Sequence, residues 1–259
     1  VVRTRIQSVK STQQITKAMK MVAASKLRKA QDAILQMRPY VQKLYGILEN
    51  AAQSLDSESQ SVYSQDRETK KVLLVVITSD RGLCGAFNSN AIKAALSLIR
   101  EKYSAQQAQQ NLSVMPIGKK ALEFFTKRGY MVVEQYADIF SDLSFENAKE
   151  AALHAMDGFV NEQFDRVDLV YNEFKNVATQ ILRTEQFLPI EKIEKQEEML
   201  QNTDYIFEPS VGYIIDVMIP RTLRVQFYKA LLESNASEHG ARMTAMDQAT
   251  DNAGELLND

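Results

Sequence analysis

The sequence predicts an α/β protein: a long antiparallel coiled coil of the N- and C-terminal helices, plus an α/β domain with a mainly parallel sheet. Three observations predict it. A 3/4 apolar spacing runs through the first fifty residues, the same spacing returns over the last thirty-five, and between them β-branched runs alternate with helical stretches. At 259 residues, 45% hydrophobic and 25% charged, the chain is large enough for one sizeable core or two small ones.

The first element covers residues 1–55. It has no glycine before Gly46 and one proline, Pro39, which argues for a bend. Its seam reads Ile6, Val9, Gln13, Thr16, Lys20, Ala23, Leu27, Ala30, Ile34, Met37, Val41, Leu44, Leu48 and Ala51. Eleven of these fourteen are apolar and the three polar ones are consecutive, so the seam is interrupted in one place. Ile15, Met19 and Val22 sit on a neighbouring face, as if this stretch were touched from a second side. A helix of this length with an open seam needs a partner. The other end supplies one, through Val225, Tyr228, Leu232, Asn235, His239, Arg242, Met246, Ala249, Ala253 and Leu256, again with three consecutive polar breaks.

The middle element, residues 70–190, opens with a strand at 72–78 whose continuous apolar character suits burial on both faces. A glycine-containing loop at 79–87 follows, then a helix at 90–103 and a strand at 113–117. A helix at 119–128, a strand at 131–135 and a helix at 145–163 come next, with strands at 166–172 and 179–188 last. Polar linkers at 56–68 and 191–203 flank this region, the first Ser/Gln-rich and read as mobile. Residues 211–218 carry a strand-like pattern, and Pro220 reads as a break.

Few catalytic groups are available. One cysteine, Cys84, excludes an internal disulfide and a multi-cysteine zinc site, and two distant histidines, His154 and His239, leave little for a metal or a triad. Cys84 reads as a buried small hydrophobe and both histidines as packing or surface residues. The loop from Ser79 to Gly85 stands where a phosphate binds in dinucleotide-binding folds, but it has no third glycine and no Gly-Lys-Ser/Thr. It is read as a turn packing helix on strand, with a nucleotide enzyme as the lowest-ranked function. No run approaches the ~20 apolar residues needed to cross a bilayer, and the first residues lack a signal-peptide apolar core.

Charge is more informative. The net charge of −2 hides a strong local bias, because residues 1–48 carry ten basic side chains against the single acid Asp32. Such a helix suits an acidic environment. Nucleic acid is one candidate and an acidic protein collar another; aromatic residues are absent before Tyr40, which removes base-stacking platforms.

Four ordered motifs decide further. The run from Arg5 to Lys26 (RIQSVKSTQQITKAMKMVAASK) closely resembles the opening helix of the gamma subunit of F-type ATP synthases. The stretch 79–88 (SDRGLCGAFN) resembles the loop after that family's first strand. The stretches 231–239 (LLESNASEH) and 241–253 (ARMTAMDQATDNA) resemble its C-terminal axle.

The resemblance implies a rotating central-stalk subunit that couples ion-driven c-ring rotation to conformational change at the catalytic beta subunits, without catalytic, cofactor or metal residues of its own. It implies a Rossmann-like domain serving as a mount, and a continuous helix from about residue 209 that bends near Pro220 in place of the strand at 211–218. The implied partners are alpha and beta subunits at 3:3:1 with this chain, an epsilon subunit and the c-ring. There would be no nucleic acid, and membrane contact only through the c-ring. The implied location is peripheral, on the cytoplasmic face of a bacterial membrane or its organelle equivalent. Family members continue several turns past the position of Asp259, so the C-terminal helix, 209–259, is expected to be cut short, and the opening Val1 suggests that residues precede it. A dithiol switch is not expected with one cysteine.

In the family an acidic loop of each beta subunit passes over the basic helix, which makes Lys17, Met19, Lys20 and Arg242 the expected beta contacts. Gln13, Thr16, Asn235 and His239 are the polar seam positions. If both polar breaks coincide, Gln13, Thr16 and Lys20 face Asn235, His239 and Arg242 at one level.

Overall fold

The computed structural model describes residues 2–53, 61–190 and 211–258. Helix α1 (Val2–Gln53) and helix α6 (Val211–Asn258) are each single helices, about 70–80 Å long at ~1.5 Å per residue. Good helix formers fill α1, and its first glycine comes only at Gly46. Both helices run through an internal proline, Pro39 in α1 and Pro220 in α6. In α1 the buried seam residues Ile34 and Leu44 anchor the helix on either side of that defect. Residues 211–218 are helical, so the strand-like pattern there yields to the helix. No helix among the described residues is long and apolar enough to cross a membrane.

The seams meet antiparallel. Thr16, Ala23, Leu27, Ala30, Ile34 and Leu44 are buried on α1, and Val225, Leu232, His239, Met246 and Ala253 on α6. Leu27, Ala30 and Ile34 form one cluster with Leu232 and Ala236. The register differs from the expectation that the polar breaks coincide. Thr250 donates to Thr16 Oγ1 at 2.8 Å and Lys20 pairs with Asp247 at 2.5 Å. Thr16 therefore lies opposite Thr250 rather than His239, a slide of eleven residues or about 16 Å. The polar stretch of α6 is committed to the α/β domain instead, where Arg242 donates to the Arg81 and Gly82 carbonyls, and in this register Leu27, Ala30 and Ile34 pack against Leu232 and Ala236.

Between the helices lie β1 (Val72–Ile77), α2 (Phe87–Lys102), α3 (Ser104–Ala108), β2 (Leu112–Ile117), α4 (Lys119–Lys127), β3 (Met131–Val132), α5 (Phe145–Val160), β4 (Arg166–Phe174) and β5 (Gln180–Leu188). The sheet order is β3-β2-β1-β4-β5, with β1 to β4 parallel and β5 antiparallel at the edge. Alternation along β1 divides the core in two. Leu73, Val75 and Ile77 face α5 and α6, while Val72, Leu74 and Val76 face α2 and α4. β3 is shorter than predicted, because residues 134–136 turn off in a 3-10 turn.

Two further departures are local. The first linker, read as mobile, is tied down over 61–68. Arg67 donates to the Phe159 carbonyl at 2.6 Å and stacks 4.5 Å from the Phe159 ring centroid, while Tyr63 O accepts from Ile190 N at 2.8 Å. The second linker, 191–203, lies outside the described residues. On the α2 side of the sheet a carboxylate is buried. Asp168 accepts from Tyr103 Oη at 2.5 Å and from Arg166 Nε at 3.2 Å, and burial with that acceptor pushes the Tyr103 phenol far up.

Candidate functional site

The loop after β1 is braced from within. Asn88 Oδ1 accepts from Ser79 N at 2.9 Å, its Nδ2 donates to Ser79 Oγ at 2.8 Å, and Ser79 Oγ donates to Arg81 O at 2.6 Å. Cys84 lies beneath, 1% exposed, its Sγ 3.3 Å from Asn88 Nδ2. Burial pushes the thiol up, so it stays protonated and acts as a small apolar filler. At the tip Leu83 takes φ +62° and stands 64% exposed. A non-glycine residue rarely takes that region, and the braced loop around it holds it there.

The N-terminus of the neighbouring helix α4, which follows β2, is capped by this loop. The first three amides of α4 are bonded by the chain itself: Lys119 N to Asp80 Oδ1 at 3.1 Å, Lys120 N to Ser79 O at 3.1 Å, and Ala121 N to Thr78 Oγ1 at 2.9 Å. In doubly wound sheets ligands enter the crevice at the carboxyl ends of the strands, where the strand order reverses. In this chain that crevice, between β1 and β4, is spanned by α6. Arg242 Nη2 donates to Arg81 O at 3.1 Å and Gly82 O at 3.3 Å, and Phe174 N, at the end of β4, donates to Glu233 Oε2 at 3.0 Å.

Beside that contact a groove of about 990 Å³ opens between the helices and the loop. Ile15, Met19, Val22 and Lys26 of α1 form one wall and Asp80 to Leu83 with Lys119 the other, over Asn235, Glu238, His239 and Arg242 of α6. Ile15 and Val22 are 60% and 57% exposed, so the second apolar face seen in the sequence borders open space. The charges are arranged in depth. Glu238 is buried and bonded to Arg242 Nη1 at 2.5 Å; burial pushes its carboxyl up while Arg242 opposes the shift. His239 is pushed down to about 4, first by burial and then by the Arg242 and Lys26 cations, so its imidazole is neutral.

The residues singled out from sequence divide between two places. Met19, Asn235, His239 and Arg242 line the groove. Gln13, Thr16 and Lys20 sit further along the shaft against Gly254, Thr250 and Asp247. Lys17 is exposed on α1, together with Arg3, Arg5, Lys10, Lys26, Arg28 and Lys29. Sequence reading missed Glu233, Glu238 and the Arg81 and Gly82 carbonyls. The i,i+4 spacing of Glu238 and Arg242 was the one available signal.

A model of the family described as ATP synthase matches residues 1–259. The ATP synthase gamma chain of Cytophaga hutchinsonii is 55% identical over 258 residues, 99% of this chain and 88% of that one. The gamma chain of Christiangramia forsetii is 51% identical over 257 residues, 99% and 87% of the two chains. Among solved structures, a chain of the central stalk and c-ring of the Tetrahymena thermophila mitochondrial ATP synthase aligns with TM-score 0.62 at 27% identity, over 91% of this chain and 99% of that one. A chain of the Euglena gracilis mitochondrial ATP synthase rotor shares the fold, with TM-score 0.64 at 22% identity over 99% and 92%. On this full-length match the chain belongs to the ATP synthase gamma-chain family.

Proposed function

We propose that this chain is the rotating central shaft of an F-type ATP synthase, carrying the turning of an ion-driven c-ring to the catalytic beta subunits while performing no chemistry itself. The observation that carries this reading is the shape of the molecule. Two terminal helices, each some 70 Å long, pack along one seam beside an α/β domain whose ligand crevice is filled by its own helix. The partners in this reading are three alpha and three beta subunits around the coiled coil, with an epsilon subunit and the c-ring at the domain. The assembly is peripheral to the membrane, on the cytoplasmic face in a bacterium. Nothing in the fold or among the relatives favours the nucleic-acid reading of the basic helix.

Native mass spectrometry of this chain with separately expressed alpha and beta subunits is expected to give a 3:3:1 assembly with ATPase turnover. A chain that stays alone under those conditions overturns the reading.

Lys17, Met19, Lys20 and Arg242 are proposed to face the beta acidic loops, in two groups rather than one. The group at the groove includes Met19, half-buried among Lys26, Arg81, Lys119 and Arg242. A lysine there adds a fifth cation that an acidic loop would hold too tightly at one rotational position. Met19→Lys is expected to lower protons pumped per ATP in membrane vesicles while ATP hydrolysis continues. An unchanged ratio removes Met19 from the contact.

A further inference from the structure

The α/β domain holds α6 on opposite faces, and both holds arise at the carboxyl edge of neighbouring strands. After β1, the loop is held by Arg242 through the Arg81 and Gly82 carbonyls, with Glu238 fixing the guanidinium from the other side. After β4, the hairpin to β5 is held by Glu233, only 5% exposed, which accepts from Phe174 N at 3.0 Å. The same hairpin lies close on Gly240, where an added Cβ would sit 3.5 Å from the Phe174 ring and from Val177 O, and Thr244 Oγ1 is 3.5 Å from Val177 O. Asn176 stiffens its turn by accepting from Ala178 N and Thr179 N at 3.0 and 2.8 Å.

At about 100° per residue, Glu233, Gly240 and Thr244 share one face of α6, and Glu238 with Arg242 lies roughly 160° round from it. The seam residues Leu232, Ala236 and Met246 occupy the side between, where α1 packs. A turn of α6 relative to the domain must break one hold or the other, whereas the main partner of α1 is α6 itself.

We propose that the domain drives the shaft through this two-jaw grip on α6, with α1 carried as a follower, and that Arg242 and Glu233 are the positioning residues of the two jaws. The proposal rests on the rotor reading above. It adds a bracing role inside the chain to the partner contact proposed for Arg242 above, and it gives the filled ligand crevice a mechanical use.

The test uses Arg242→Gln, Arg242→Lys, Glu233→Ala and the Arg242→Gln/Glu233→Ala double variant, each in the full chain. Cys84, the only cysteine, lies under the first jaw and reports on it by maleimide labelling. Labelling is expected to rise at least tenfold in Arg242→Gln, less in Arg242→Lys, and not at all in Glu233→Ala. In assembled complexes in vesicles, protons pumped per ATP are expected to fall modestly in each single variant. In the double variant they are expected to fall by more than the product of the two single effects, because one jaw no longer covers for the other.

Phe125→Leu, a core change on the far face of the sheet, is expected to lower the melting temperature and leave that ratio alone. Glu233 is too buried to touch a partner, so its effect cannot come from a lost subunit contact. Unchanged Cys84 labelling in Arg242→Gln, or a pumping ratio in the double variant equal to wild type, overturns the grip. A wild-type chain that fails to assemble sinks the rotor reading instead, and labelling then decides the grip by itself.

Discussion

Replacing Gly118 by alanine is expected to cost the chain on the order of 4 kcal/mol, while the same replacement at Gly240 is expected to stabilise it by about 0.5–1 kcal/mol. Gly118 follows β2 at φ +97°, ψ 140°, a region open to glycine and hardly to other residues. A Cβ there would lie 2.2 Å from the Thr78 carbonyl oxygen and 2.7 Å from its carbon. Those atoms belong to the end of the central strand, and Gly118 N is itself bonded to Ala137 O at 2.9 Å, so neither side gives way. Gly240 is helical, and its added Cβ would meet Phe174 and Val177 at 3.5–3.6 Å, ordinary contact. There alanine only removes backbone freedom from the unfolded chain. Urea denaturation midpoints of the two variants check the pair, and two shifts of the same sign would contradict the account. The loss at Gly118 also carries to the site, since Thr78 and Asp80 cap α4 next to it and hold the base of the loop that Arg242 grips.

What the sequence made legible follows from what period and composition encode. The 3/4 spacing marked the buried stretch of the seam, because burial is a property of one helix face: Ala23, Leu27, Ala30 and Ile34 sit as read, whereas Ile6 and Leu256, near the chain ends, are exposed. Register is a property of two helices together, and matching polar breaks misjudged it. Leu27, Ala30 and Ile34 pack against Leu232 and Ala236 and Thr16 finds Thr250, while the polar stretch of α6 that was matched to it faces the α/β domain through Arg242. The continuous apolar run of β1 announced a parallel sheet, but nothing in the 131–135 stretch distinguished a two-residue strand from a full one. At the site the glycine loop was located by its place after a strand, and its missing phosphate fingerprint was readable. Its true occupant was not. Arg242 reaches that loop across 160 positions of sequence, through main-chain carbonyls that leave no trace in residue identity. Glu233 is equally silent, a carboxylate in a helix that only the fold turns inward.

Stability of the chain is expected to fall as pH drops from about 6.5 to about 4, with His239 contributing on the order of 3 kcal/mol to that fall. The sign follows from which state takes the proton first. In the unfolded chain the imidazole titrates near its ordinary value of about 6.5. In the folded chain burial, then Arg242 and Lys26, hold it at about 4. Between those values the unfolded state binds the proton and the folded state does not, so acid favours unfolding; above about 6.5 the contribution is fully present. Glu238 works against this trend, because burial raises its carboxyl and protonation relieves that cost as pH falls. The raw curve is therefore blunted, and the useful quantity is the difference between wild type and His239→Gln, which keeps a neutral polar side chain of similar size. That difference is expected to change steeply between pH 6.5 and 4 and to be flat above. A difference flat throughout would mean that His239 titrates alike in the folded and unfolded chains, and one that falls as pH rises above about 6.5 would mean that it is charged in the folded chain, which would place a third cation beside Arg242 and Lys26. Such a charge would draw Glu238 away from Arg242, since His239 Nδ1 is 4.0 Å from the same Glu238 Oε1 that Arg242 holds at 2.5 Å. The pH profile of Cys84 labelling would then follow the imidazole, because the jaw over the thiol depends on a guanidinium that Glu238 keeps in place.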